Sequence, residues 1–354
     1  MCRSGEVIKI LDDIKLYCGD CLDVLRTMPD RCVDLVLTDP PYNIGVNIQK
    51  NKVKQAAAWD RIDNYIDWCI EWLTECQRVL KPNGVLYFWH NDMAQIAELM
   101  EAIRRRTSLV FISFCIWDKG NGYRAKSWHR RSAESKTALR SWFNTCEYCL
   151  HFFNAPKDAE ASWKHTGLDR INSNPECYKP LKEWYAAEME RLGITGKEIA
   201  QKYTEVTGKK PFMLRHYFQD SQFEIPTQAV YESVYVPLGF GKSYEELRKS
   251  YEELRNVHHV DDMHCNIWHV PPISTHKRYH TCQKPTEILE RLIRVSSNDG
   301  AVVLDCFMGS GSTGVAAINT GRKFIGIEMD DGYYAAAEER IFSAKDNGGQ
   351  LTIC

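Results

Sequence analysis

The chain has 354 residues, 44% of them apolar and 26% charged, with a formal net charge of −2. That composition excludes collagen-like, low-complexity and disordered chains. No apolar run approaches the ~18–20 residues needed to cross a bilayer, and the length suits two domains or one large domain with an insertion. A near-neutral chain is not coated in basic charge for nucleic acid, although basic residues gathered on one face would be hidden in a whole-chain average.

Met1–Asp13 mixes charged and apolar residues without a signal-peptide core, so the chain is expected in the cytoplasm with no membrane partner. Its 14 cysteines are then expected as reduced thiols. Two pairs, Cys18/Cys21 and Cys146/Cys149, have C-x-x-C spacing. A four-Cys zinc site is the alternative reading of them; the expectation is that no metal is bound.

Val33–Thr38 is a strand that ends abruptly at Asp39-Pro-Pro-Tyr42. Apolar residues at helical spacing over Asp60–Leu80 stop at the turn signal Lys81-Pro-Asn-Gly84. Val85–Trp89 is the next strand, Asp92–Arg106 a helix, Leu109–Trp117 a strand and Cys146–Phe153 a buried strand. Between the last two lies a Gly-punctuated stretch, 119–140, with seven Lys and Arg against one Glu. It is a candidate phosphate clamp through Lys119, Arg124, Lys126, Arg130, Arg131, Lys136 and Arg140, or a solvated surface loop.

From 154 to 263 the rhythm breaks into helical patterns, including the tandem heptads Ser243–Lys249 and Ser250–Asn256. Gly193–Tyr203 followed by Pro211–Phe218 reads as a helix-turn-helix-like pair with Arg215 at a groove, or as a packed pair without DNA contact. The α/β pattern resumes with a helix at Pro285–Ser296, a strand at Ala301–Asp305, a helix at Ser312–Thr320, a strand at Lys323–Ile327 and a helix at Asp331–Ser343. The fold class is α/β, a Rossmann-like, mostly parallel, doubly wound sheet. Residues 1–153 and 264–354 form the catalytic domain, and 154–263 is a mainly helical target-recognition insert.

Gly309, Gly311 and Gly314 fit G-x-G-x-x-G between a strand and a helix, and Glu328 closes the following strand, where it can accept from ribose hydroxyls. Asp305 closes the first strand, and three residues separate it from Gly309. An acid there disfavours a pyrophosphate and suits a cofactor with a cationic end, such as S-adenosylmethionine. At Asp39-Pro-Pro-Tyr42, a carboxylate and a carbonyl can take both protons of an exocyclic amino group. Tyr42 can stack on a base drawn out of the duplex.

These blocks, with His280-Thr-Cys-Gln-Lys-Pro285 and Gly19-Asp20-Cys-Leu-Asp-Val-Leu25, resemble the beta group of amino-methylating DNA methyltransferases, which modify adenine N6 or cytosine N4. The resemblance implies the permuted methyltransferase fold, S-adenosylmethionine as cofactor and double-stranded DNA as partner. It implies Asp39, Pro40, Pro41 and Tyr42 as catalytic residues. At the cofactor it implies Asp20, Gln283, Lys284, Asp305, Phe307, Gly309, Ser310, Gly311, Thr313 and Glu328. A homodimer and a cognate restriction endonuclease are partners that such enzymes can have. Asp at the first catalytic position favours adenine, with cytosine N4 as the alternative. Other readings are an NAD-dependent oxidoreductase, a non-catalytic DNA-binding protein, and methylation of RNA or of a protein glutamine.

Overall fold

The computed structural model describes residues 7–45, 47–50, 53–56, 60–120, 145–154, 178–212, 214, 217–218, 224–254, 265–273 and 283–346. Two compact units result, one formed by residues 1–154 with 258–354 and the other by 155–257.

The first unit is built on a nine-stranded sheet. Its strands in chain order are β1 (Val7–Leu11), β2 (Ile14–Cys18), β3 (Val33–Thr38), β6 (Leu80–His90), β7 (Leu109–Asp118), β8 (Cys146–Asn154), β9 (Ile267–His269), β10 (Val302–Asp305) and β11 (Lys323–Glu328). β4 (Asn47–Lys50) and β5 (Val53–Ala56) form a separate antiparallel pair. The order across the sheet is β1-β2-β11-β10-β3-β6-β8-β7-β9. The central run β2-β11-β10-β3-β6 is parallel throughout. β8 runs antiparallel to both of its neighbours, and β1 to β2.

Helices cover both faces, which is why the central strands are apolar on both sides. Leu35 and Leu37 of β3 and Tyr87 and Trp89 of β6 face α7 (Thr286–Ser296), α8 (Ser312–Asn319) and α9 (Asp331–Asp346). Val36, Leu86 and Phe88 face α1 (Cys21–Thr27), α2 (Tyr65–Val79) and α3 (Met93–Arg106). Asp92 caps α3 by accepting from the Gln95 amide at 3.0 Å, as an N-cap carboxylate should.

The strands and helices expected in this unit form within a few residues of their expected limits, with one instructive difference. The turn expected at Lys81-Pro-Asn-Gly84 lies within the span of β6. Val33 pairs with Leu80 and Leu35 with Val85, so the additional residues bulge out and the parallel ladder continues. The four-Cys zinc alternative is overturned by strand order. Four strands separate β2 from β8, about 24 Å at the usual inter-strand spacing. Cys18 is disulfide-bonded, which corrects the expectation of reduced thiols throughout; the other described cysteines are free.

The second unit has its own aromatic core around Tyr178, Tyr203, Tyr231 and Tyr235. Its helices are α4 (Lys179–Leu192), α5 (Gly196–Thr207) and α6 (Tyr244–Leu254), with a π-helical turn at Tyr231–Tyr235. Of the described residues in the second helix expected at 211–218, Pro211 and Phe212 lie in a turn, Leu214 is in a 3-10 turn, and Tyr217 makes a β-bridge with Glu224. Arg215 lies outside the described residues.

Gly314 marks the closest helix packing. A Cβ there would lie 2.7 Å from Phe324 Cε1 and closer still to Ile341 Cδ1. Gly314→Ala should therefore destabilise the protein by about 1–3 kcal/mol, as overpacking does, and Ile341→Val in the same chain should restore part of the loss. Denaturant unfolding of the three proteins checks this; a Gly314→Ala midpoint equal to wild type would refute the packing.

Candidate functional site

β3 lies at the point where the sheet's winding reverses. The chain continues from β3 to β6 on one side, while β10 and β11 lie on the other, so the crevice outside β3 and β10 is the usual ligand position of an open α/β sheet. The parallel pairing of Val303 with Leu35 and Leu304 with Val36 brings the two strand tips together. Thr38 then donates to Asp305 at 2.7 Å.

On the β3 side, the Asp39 carboxylate is gripped from two directions. Tyr42 donates to Oδ1 at 2.6 Å, and Lys284 Nζ reaches Oδ2 at 2.5 Å. The ammonium also donates to the Tyr42 hydroxyl at 3.1 Å and lies 3.1 Å from Glu147 Oε2. Lys119, in turn, holds Glu147 Oε1 at 2.5 Å. Burial works to raise the Glu147 carboxyl, yet Lys284 and Lys119 hold it down at about 2. Lys119 is thus turned inward to Glu147. Lys284, expected at the cofactor, is bound to Asp39.

The loop after β3 is pinned from below. The Asn43 amide donates to the buried Asp60 carboxylate at 2.7 Å, and the Asn43 side chain accepts from the Ile62 amide at 2.9 Å. Tyr65 donates to the Pro41 carbonyl at 2.8 Å and lies 3.0 Å from His90 Nε2. The Asp92 amide donates to His90 Nδ1, which leaves the proton of the neutral ring on Nε2. Burial lowers His90 to about 4, so it is neutral at pH 7. Its ring stacks under Tyr42 with centroids 5.0 Å apart. Pro40 withholds an N–H from this turn.

On the β10 side, Gly309 and Gly311 take φ of 51° and 80°, conformations that favour glycine. Gly311 is the N-cap of α8. The Gly309 amide donates to Glu328 Oε2 at 2.8 Å, and the Asp330 amide to Oε1 at 2.8 Å. Asp305 accepts from Thr38, Thr313 and the Phe307 amide. Ser310 is held by Arg340. Phe307 packs edge-on against Trp72 at 5.5 Å, fixing the loop to α2. Asp20 caps α1 through the Leu22 and Asp23 amides, next to Gly19, whose amide donates to the Glu328 carbonyl at 2.9 Å. Gln283 lies beside Lys284, ahead of α7.

Burial pushes Asp305 up to about 6 and Glu328 up to about 7. Among the described residues, no basic side chain forms an ion pair with either. Two unneutralised carboxylates beside a glycine turn suit a ligand that carries a cation and ribose hydroxyls and repel a pyrophosphate. The chemistry of this donor set fits S-adenosylmethionine.

Thr38, Asp60, Tyr65, His90 and Glu147 were not singled out from the sequence. Glu147 carried a usable signal: a lone acid in the apolar run Cys146–Phe153 is buried only with a partner. Arg124, Lys126, Arg130, Arg131, Lys136 and Arg140 lie outside the described residues, as do His280, Thr281 and Cys282. No helix among the described residues is long and apolar enough to cross a membrane.

The DNA methylase family profile matches residues 33–339. The chain is 25% identical to the Type II methyltransferase M.HpaI of Haemophilus parainfluenzae, over 94% of this chain and 75% of that protein. It is 26% identical to the DNA adenine methyltransferase YhdJ of Escherichia coli K12, over 91% of this chain and 81% of that protein. Among solved structures it is similar to the M1.HpyAVI–SAM complex, with a TM-score of 0.49 at 16% identity, covering 93% of this chain and 98% of that one.

The raised Glu328 carboxyl makes a signed prediction. Its ordinary value is 4.5, so between there and about 7 the folded state binds more protons than the unfolded one. Stability of the ligand-free protein therefore falls as pH rises through that window, by about 3 kcal/mol. Glu328→Gln should be more stable than wild type at pH 8, gain little at pH 4.5, and bind S-adenosylmethionine more weakly. Unfolding at both pH values and calorimetry check this; an unchanged cofactor affinity would remove Glu328 from the site.

Proposed function

Because this chain belongs to the DNA methylase family, and is thus an S-adenosylmethionine-dependent DNA methyltransferase, we propose that its target atom is adenine N6 in double-stranded DNA. The observation that carries this reading is the Asp39 carboxylate, held by Lys284 and Tyr42 at the crevice shared with Asp305. The adenine methyltransferase named among its relatives supports the same base.

The cofactor supplies an electrophilic methyl group on a sulfonium. Gly309, Gly311, Asp305 and Glu328 bind and orient it. Each Asp39 oxygen keeps a second lone pair for an incoming N–H. An amino group donating to Asp39 and to a loop carbonyl turns its lone pair out of the ring's conjugation and toward the methyl. After transfer the methylated nitrogen sheds one proton, and Asp39 is the acceptor in reach. Tyr42, backed by His90, supplies the aromatic ring for stacking on the flipped base.

Since no covalent protein intermediate is needed, none of the cysteines acts as a nucleophile. An NAD-dependent oxidoreductase on the same glycine turn would leave Asp39–Tyr42 without a task. We assign target recognition to the unit 155–257 and phosphate contact to the basic residues of 124–140, Lys119 being held by Glu147. The Type II relatives make a cognate endonuclease the partner to seek.

Incubation with unmodified DNA and labelled S-adenosylmethionine, followed by nucleoside mass spectrometry, should yield N6-methyladenine. N4-methylcytosine in its place would overturn the base assignment. Asp39→Ala should lower the rate by about 10²–10³, the cost of removing one transition-state contact. An undiminished rate would sink the role of Asp39.

A further inference from the structure

We propose that Lys284 is a positioning residue for methyl transfer, acting through Asp39 and anchored by Glu147, and is not a cofactor ligand. The inference rests on the methyltransferase reading above. An ammonium has three N–H donors. Here three acceptors surround it: Asp39 Oδ2 at 2.5 Å, Tyr42 Oη at 3.1 Å and Glu147 Oε2 at 3.1 Å. The side chain is 4% exposed. It lies over the rings of Trp89 and Tyr42 at 5.1 and 5.5 Å, so aromatic faces occupy the remaining directions. The charge of the ammonium is met by two carboxylates, those of Asp39 and Glu147.

The geometry also shows what the lysine does. Asp39 must present its oxygens to an amino group in one orientation, and a carboxylate held only by Tyr42 could rotate about its side-chain bonds. Lys284 fixes the second oxygen, and at the same time sets the Tyr42 hydroxyl, so the acceptor and the stacking ring are aligned by one group. A lysine so placed would drift toward whichever anion was nearer. Glu147, itself tied to Lys119 at 2.5 Å, opposes that drift. The order Lys119–Glu147–Lys284–Asp39 alternates in charge, so the two inner members, Glu147 and Lys284, are each held from both sides. A purely structural ion pair would need only Glu147; the contacts to Asp39 and Tyr42 are the addition.

The test compares wild type, Lys284→Met, Glu147→Gln and the double variant in single-turnover DNA methylation, with cofactor affinity by calorimetry and melting in parallel. The double variant leaves no buried carboxylate at 147 without its cation, which keeps the comparison in a folded protein. Lys284→Met and the double variant should transfer methyl about 10²-fold more slowly, the scale set by misplacing a reacting group. Cofactor affinity should stay within about twofold of wild type, because uniform binding is untouched. Glu147→Gln alone should show a smaller loss in the same direction. An unchanged rate would overturn the proposal, as would a rate loss matched by an equal loss of cofactor affinity. If wild-type protein methylates no DNA, the methyltransferase reading falls first and this inference with it.

Discussion

The parallel pairing of β3 with β10 is the constraint on which the site depends. Thr38 and Asp305 stand 267 positions apart in the chain yet share a hydrogen bond. Neither strand tip is a site by itself: one carries a turn with a carboxylate and an aromatic ring, the other a glycine turn with buried acids. Hydrogen-bonding the two strands side by side fixes the separation of the two half-sites at one inter-strand spacing, about 4.8 Å. The winding reversal at β3 then keeps any helix from covering the crevice. Everything else in the first unit holds that junction rigid, from the aromatic packing of Phe307 on Trp72 to the hydrogen bonds under Pro41 and Asn43.

Electrostatics divides the junction into two chemistries. Asp39 and Glu147 each meet a lysine ammonium. Asp305 and Glu328 face amides and hydroxyls only, and burial raises both. An anion with its own cation is a fixed hydrogen-bond acceptor. An anion without one draws a cation from outside. The four carboxylates are the same functional group, and their neighbours alone set the two pairs apart.

Much of this was legible in the sequence because it depends on local pattern. Apolar periodicity located the central strands and their covering helices, and both halves of the site announced themselves where strands break into Pro or Gly. What was illegible depends on pairing between distant segments. The four-residue turn signal before Val85 is indistinguishable from the bulge it becomes until β3 lies alongside. His90 looks like any polar residue at a strand end; only the approach of Tyr65 and Tyr42 turns it into a support. Lys284, placed by resemblance at the cofactor, meets Asp39 and Tyr42 from the loop after β3 and Glu147 from β8, neighbours that no local pattern announces.

The second unit has a property that follows from one ring contact. Tyr178, at the head of α4, stacks on Tyr251 of α6 with centroids 5.2 Å apart and planes 13° from parallel. The first and last described helices of the inserted unit are thereby clasped to each other. For the sheet, an open excursion of that length would cost about 4 kcal/mol of closure entropy before β9 could pair with β7. A clasped unit meets part of that cost within its own fold. Such an insert is thermodynamically self-contained. Its sequence can change wholesale, provided the clasp survives, without disturbing the register of the strands that carry the chemistry.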